Sequence, residues 1–260
     1  MTIGSKLFVI IPHAGTQIPD ELQEDVFHKD IFKELDKETD MFTDKLYDFK
    51  NTLHNNHIIF KYHRGLIDVN EPSNTAEKFD TPVSNYDFKG HKIYITPLTK
   101  EQKQYLIDKY YNSFHARCKD AIAQLKPALI LDAHSTHSQD DDVYGDRFEG
   151  DISLGNYQKT KWDKDGSTLT CSNELLEGYA ENLQKLLPRL QIQLNSLYLT
   201  KTYGYIEENY TKLAITGIPL ILQETNEKLY TNNWKLDELN CRELNKLFAQ
   251  ALAMTMRKLV

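Results

Sequence analysis

Three short stretches of this chain place an imidazole or a carboxylate directly after an apolar run. They are Pro12-His13-Ala14-Gly15 after Leu7 to Ile11, Asp132-Ala133-His134-Ser135 after Ala128 to Leu131, and Gln223-Glu224-Thr225-Asn226 after Ile218 to Leu222. In open α/β sheets the ligand crevice lies outside the carboxyl ends of the strands, so side chains from these distant stretches would converge there. Two neutral imidazoles plus a carboxylate, with a fourth position open to water, form the ligand set of a catalytic zinc site. The third ligand is either Glu224 itself or an acid from elsewhere. The choice from elsewhere is Asp40, which shares a stripe with Asp36, Thr43 and Asp44 on a helix expected from Phe32 onward. With Asp40 as ligand, Glu224 is left as a general base that takes a proton from water and delivers it to a leaving amine. His137 is a rival ligand. Singly, each residue has a plainer reading, as a structural histidine or a solvated acidic face; convergence is what makes a site.

Two more groups lie close to these motifs. In HRGLIDVN, Arg64 offers a planar guanidinium that can grip a carboxylate through two parallel hydrogen bonds, and its alternative is an internal ion pair with Asp68 that fixes the turn. Asp132 stands two residues before His134, on the same side of a continuing strand. It would either orient an imidazole or cap the following loop. Several motifs are missing: G-x-S-x-G, H-E-x-x-H, a Walker A loop, and G-x-G-x-x-G after a strand. Nucleotide-dependent chemistry and serine hydrolysis therefore lack sequence support.

The elements that must position these residues follow from periodicity. Short β-branched runs alternate with longer segments of helical spacing, which predicts an α/β three-layer sandwich: a mixed, mostly parallel sheet with helices on both faces. Leu35, Phe42, Leu46 and Phe49 read as one apolar helix face. Residues 101–125 give the clearest helix, through Leu106, Tyr110, Phe114, Cys118, Ala121 and Leu125. A second strand is expected over 57–62, another helix over 173–187, a strand over 192–198 and a terminal helix over 236–259. The polar stretches near 71–95 and 139–171 read as loop excursions within a single domain, 1–260.

Composition narrows the function. With 40% hydrophobic residues in 260, the chain can bury a sizeable core, and a net charge of -7 gives no general attraction for nucleic acid or anionic lipid. No apolar run reaches membrane length. Three widely spaced cysteines without a C-x-x-C pair fit a reducing, cytoplasmic setting.

Taken in order, IPHAGTQIP, ETDMFTDKLYD, HRGLIDVNEP, LILDAHSTHS and LILQETNEKLY resemble the motifs of the N-formylglutamate amidohydrolase family, and they span about residues 8 to 230. The resemblance implies a fold of the zinc-exopeptidase, phosphorylase/hydrolase-like kind, related to zinc carboxypeptidases and aspartoacylases. It implies one divalent metal ion, zinc, held by His13, Asp40 and His134, with Glu224 as general base and Arg64 as a substrate or transition-state contact. Asn70 and Ser135 within these motifs, and Tyr205 in GYIEENY, which is similar to a further stretch of the family, are implied as substrate-binding positions. The implied reaction is hydrolysis of an N-acyl amino acid, with N-formyl-L-glutamate split to formate and glutamate. A metallopeptidase acting on short or cell-wall peptides and a non-catalytic homologue that binds an amino acid or peptide are the alternatives. Two positions depart from the family pattern: Ala14 stands where serine is usual, and Glu71 follows Asn70 where relatives commonly carry arginine. An acid there would disfavour a glutamate side chain by like-charge repulsion.

Overall fold

A computed structural model of the chain describes residues 3–72, 81–137, 150–158, 168–196 and 217–259. Its centre is a six-stranded sheet. The strands are β1 (Leu7–Ile11), β2 (Asn56–Ile59), β3 (Leu129–Thr136), β4 (Ile152–Gly155), β7 (Ile192–Leu194) and β8 (Leu220–Asn226), in the order β2-β1-β3-β8-β4-β7. β2, β1, β3 and β8 run parallel; β4 pairs antiparallel with β8 and parallel with β7. Between β4 and β7, β5 (Tyr157–Gln158) and β6 (Thr168–Leu169) form a two-stranded pair, as do β9 (Thr231–Asn232) and β10 (Lys235–Leu236). The sheet is mixed, as the alternation of runs predicts.

Parallel strands need cover on both faces, and the strand residues divide accordingly. Phe8, Ile10, Ile58, Ile130 and Leu220 pack on one side with α1 (Ile31–Leu35) and the helical run of α4 (Lys100–Leu106) and α5 (Asn112–Leu125). Leu7, Val9, Leu129, Leu131 and Ile221 pack on the other, with α2 (Thr43–Leu46), α6 (Asn173–Leu186) and α7 (Glu238–Met256). The helix read over 101–125 is present but interrupted by a π turn at Ile107–Tyr111. That turn rotates the buried face, so Tyr110, Tyr111 and Ile122 are buried while Ala121 and Leu125 lie at its margin. A Thr99–Gln102 capping box starts the run, and Lys126 ends it in a left-handed conformation.

The helix expected from Phe32 does not form as one element. α1 gives way to a 3₁₀ turn at Asp36–Glu38, Phe42 takes a left-handed conformation (φ 63°), and only then do α2 and α3 (Lys50–Leu53) follow. The reason lies in the packing. Leu35 belongs to the core on one face of the sheet, whereas Leu46 and Phe49 belong to the core on the other, so the three cannot share one helix face. The segment crosses over the strand ends between the two cores, with Asp40 at the crossing.

Two strands run on past their apolar cores. β3 continues through Thr136 and β8 through Asn226, with His134 opposite Glu224 in the ladder. Ser135, Gln223, Thr225 and Asn226 find buried hydrogen-bond partners there, whereas both oxygens of Asp132 and one of Glu224 do not. The excursion read over 139–171 holds a true sheet strand, β4, which corrects the loop expectation there. Of the 71–95 segment, residues 81–95 are irregular but packed, with Val83, Ile93 and Tyr94 buried, and 73–80 lie outside the described residues. The strand expected over 192–198 is described as Ile192–Leu194, and 197–198 lie outside the described residues.

Candidate functional site

The site sits where β1, β3 and β8 end. Gly15 lets the turn after β1 press against the chain following β2, because an added Cβ would lie 2.2 Å from the Lys61 carbonyl carbon. The close approach is secured by the Gln17 N–H donating to the Lys61 carbonyl at 3.0 Å. His13 is thereby held at the end of β1, and its carbonyl accepts the Asp40 N–H at 3.1 Å. Asp132, His134 and Glu224 occupy the same sheet face as Ile130 and Leu220, since residues two apart on a strand share a face and the Asp132↔Leu222 and His134↔Glu224 register aligns the two strands. From the opposite face the Tyr47 hydroxyl donates to the His134 carbonyl at 3.0 Å and lies 2.7 Å from Thr225 Oγ1.

His13, Asp40 and His134 form a buried cluster whose candidate ligand atoms all lie within 4.8 Å of one another. Asp40 Oδ2 is 3.2 Å from His134 Nδ1 and 3.6 Å from His13 Nδ1. The two rings meet edge to face with centroids 4.8 Å apart. Each imidazole turns its other nitrogen toward a carboxylate. His13 Nε2 lies 2.9 Å from Asp68 Oδ1, and His134 Nε2 lies 3.2 Å from Asp132 Oδ1 but off the line of a good hydrogen bond. A proton on Nε2 of His13, which the Asp68 contact favours, leaves Nδ1 with a bare lone pair, and that buried atom has no hydrogen-bond partner. Two Nδ1 atoms and a carboxylate, with carboxylates behind the imidazoles, form the arrangement used to orient histidine ligands on a metal. The donor set fits a divalent cation.

The electrostatics agree with that fit. Among the described residues, Asp40, Asp68, Asp132 and Glu224 stand against one guanidinium, Arg64. Burial opposes a charge on His134, but Asp132, Asp40 and Glu224 overcome it and hold its proton affinity well above the ordinary range. Burial likewise opposes ionisation of Asp40; its contacts with His13 and His134 prevail and keep it ionised far below the usual carboxylate range. For Glu224 burial wins, helped by Asp40 and Asp132, and its carboxyl holds a proton well above the usual range. Its Oε2 is buried without a partner. Two carboxyl groups with affinities driven apart in one site is the pattern from which a ligand and a proton carrier are assigned.

Arg64 donates to Asp68 Oδ2 from Nε (3.2 Å) and Nη2 (2.9 Å), with Nη1 3.8 Å from Asp40 Oδ1 and its guanidinium 5.1 Å from the centre of the Phe88 ring. The internal Arg64–Asp68 pair therefore exists, and Asp68 bridges it to His13. The Ser135 N–H donates to Asp40 Oδ2 at 3.2 Å, and the Asn70 N–H to Asp68 Oδ1 at 2.8 Å. Tyr205 lies outside the described residues. His137 stands apart from the cluster, 3.0 Å from Glu227 Oε2 and beside the Trp234 ring. Two features are not read from the sequence: the partnership of Asp68 with His13, and the burial of Glu227, which accepts from Ser135 Oγ at 2.9 Å. Glu227 lies three positions after Glu224 within LILQETNEKLY, but no role is read for it from the sequence.

Fold and site together define an α/β protein with a mixed sheet, flanking helices and a His-Asp-His cluster able to coordinate a divalent metal at the ends of its parallel strands. The sequence pattern described as N-formylglutamate amidohydrolase matches residues 5–231, and the chain belongs to that family. An N-formylglutamate deformylase of Pseudomonas aeruginosa is 26% identical over 160 residues, 57% of this chain and 58% of that protein. One from Pseudomonas putida is 24% identical over 168 residues, 60% of this chain and 61% of that protein. The chain thus matches less than two thirds of the length of these curated relatives. A crystal structure of N-formylglutamate amidohydrolase from Ralstonia eutropha JMP134 shares the fold, with a TM-score of 0.74 at 18% identity, covering 98% of this chain and 95% of that one. A gene product of Agrobacterium tumefaciens gives a TM-score of 0.60 at 15% identity, with coverage of 97% and 89%.

Proposed function

We propose that this chain is a metal-dependent amidohydrolase that cleaves the amide bond of an N-acyl amino acid, with N-formyl-L-glutamate, split to formate and glutamate, as the leading candidate. One observation carries the reading: the buried, unpartnered Nδ1 of His13 faces the same point as Asp40 and His134 Nδ1, with carboxylates behind both rings. In this reading His13, Asp40 and His134 hold one divalent ion, zinc, and Glu224 is not a ligand. The ion, when bound, supplies Lewis-acid polarisation of the acyl carbonyl and acidifies water.

The chain's own residues supply the rest. Glu224 faces the cluster from β8, opposite His134, and takes the proton of the attacking water before delivering it to the leaving amine nitrogen. Burial raises its proton affinity, so the ionised carboxylate is a stronger base and, once protonated by the water, keeps that proton until the amine nitrogen leaves. Arg64 is fixed by Asp68 and Phe88, and its positive charge stabilises the developing oxyanion. Ser135, Asn70 and Tyr205 are assigned to substrate contacts on the family motifs. Glu71 lines a small cleft with Arg64 and Glu38, so the preference between glutamate and less acidic N-acyl amino acids is part of the test. The proposal extends to a fold of the zinc-exopeptidase, phosphorylase/hydrolase-like kind, supported by ligands gathered at parallel strand ends. It extends also to a cytoplasmic setting, supported by three buried cysteines, none of them in a disulfide.

The test couples metal analysis to formate and amine release from N-formyl and N-acetyl amino acids. Glu224→Gln is expected to retain the metal and to lose about 10²- to 10⁴-fold in kcat. Turnover near the parent level would remove Glu224 from the chemistry, and a parent protein that binds no divalent metal would overturn the whole reading.

A further inference from the structure

Glu227 is buried, with 4% of its surface exposed, just beyond the end of β8. Its Oε1 accepts two hydrogen bonds, from the Met41 N–H at 3.2 Å and from Ser135 Oγ at 2.9 Å. Met41 is the residue after Asp40, and Ser135 the residue after His134. One carboxylate oxygen thus grips the positions following two members of the metal-binding cluster, one on an irregular crossing and one on a strand. The Ser135 N–H in turn donates to Asp40 Oδ2, which closes a ring through Glu227, Met41, Asp40 and Ser135.

The remaining contacts hold Glu227 itself in place. Asn226 starts the turn at Glu227–Leu229 through its side chain, the Glu227 carbonyl accepts Thr231 Oγ1 at 2.9 Å and the Tyr230 N–H at 3.1 Å, and Oε2 faces His137 Nδ1 at 3.0 Å. Asp40 needs such an anchor because neither helix nor strand fixes it. Its backbone is tied to His13 and Thr43, and the next residue but one, Phe42, is left-handed.

We infer that Glu227 is a positioning residue: it clamps the Asp40 crossing onto the end of β3 so that Asp40 Oδ2 lies between the two imidazoles, and so sets the affinity and geometry of the metal centre without touching the ion. This rests on the assignment of His13, Asp40 and His134 as ligands. What matters is the reach of an acceptor oxygen to two donors, and charge and reach can be separated. Glu227→Gln keeps an oxygen at the same distance and removes the charge. Glu227→Asp keeps the charge and draws the oxygen back by one methylene.

The experiment measures zinc and cobalt affinity by chelator competition, together with the visible absorption of the cobalt-loaded protein, which reports ligand geometry. Glu227→Gln is expected to bind within about threefold of the parent with an unchanged spectrum, and Glu227→Asp about tenfold or more weakly with a shifted one, the range seen when a ligand's supporting partner is lost. Ser135→Ala, which removes one of the two donors and leaves Glu227 intact, should weaken binding in the same direction and covers the case in which Glu227→Asp does not fold. Parent-like affinity and spectrum in both Glu227→Asp and Ser135→Ala would overturn the assignment, as would a loss in Glu227→Gln equal to that in Glu227→Asp. An Asp40→Ala control that binds zinc as tightly as the parent would instead overturn the ligand assignment.

Discussion

Asp68 shows how one buried side chain can serve three partners at once. Its Oδ1 takes the Nε2 side of His13 at 2.9 Å and the Asn70 N–H at 2.8 Å, while its Oδ2 takes the forked contact of Arg64. The guanidinium neutralises a carboxylate that would otherwise be costly to bury, and the carboxylate in return fixes which His13 nitrogen carries the proton. Burial alone would raise the proton affinity of Asp68, yet His13 and Arg64 hold it ionised below the usual range. In Asp68→Asn the amide oxygen can still accept from His13, but the negative charge is gone and Arg64 is left to compete for Asp40, which lies 3.8 Å from its Nη1. Metal affinity in that variant should fall by about tenfold, read by chelator competition, with a smaller effect on folding. An affinity equal to the parent's would show that Asp68 orients nothing and is only the counter-ion of Arg64.

At the scale of elements, the site depends on how tightly the turn after β1 is pressed onto the chain after β2. Gly15→Ala would put a Cβ within 2.6 Å of three backbone atoms of Phe60 and Lys61, and backbone cannot swing aside as a side chain can. We expect a loss of roughly 2 kcal/mol or more in unfolding free energy, with metal affinity falling too because His13 is two residues away; a melting temperature within a degree of the parent would show that the turn yields cheaply. The same elements explain what the sequence made legible. His13, His134 and Glu224 stood out because each polar residue follows a buried run, and the sheet does bring all three to its carboxyl edge. The strand boundaries were missed because a run ending in Asp132 or Gln223 reads as solvated, whereas Gln223 is buried with its Oε1 accepting from Tyr179 at 2.7 Å and Asp132 lies against His134. Asp40 was chosen from a helical stripe that does not exist. Its true placement depends on Leu35 and Leu46 facing opposite cores, which spacing alone cannot reveal because both residues are simply apolar. β4 was hidden for a similar reason: Ile152 to Gly155 is short and lies among polar residues, and its strand character comes from pairing with β8 and β7.

Across the whole molecule, core and site are joined through His115 on α5. Its imidazole packs against Tyr111 and Phe114 and donates to the carbonyl of Val69, the residue after Asp68. It is 3% exposed, and burial is the main cause that depresses it from 6.5 to about 4, with the Val69 contact opposing the shift. Between those two values the unfolded chain binds a proton at this position that the folded chain does not, so the unfolding free energy rises with pH across the interval and is lost as pH falls from about 6.5 to about 4. A shift of that size corresponds to about 3 kcal/mol at the acidic end, which is a large part of the stability of an ordinary domain. His115→Asn keeps an N–H for the Val69 carbonyl and titrates nothing. Its neutral-pH stability should drop through lost packing, while the difference in unfolding free energy between pH 7 and pH 4.5, measured in urea, should shrink by about 2 kcal/mol relative to the parent. Because the Val69 contact borders Asp68, the parent should release its metal over the same acidic range in which this helix loosens. An unchanged pH dependence in His115→Asn would assign acid lability to the carboxylates of the site instead.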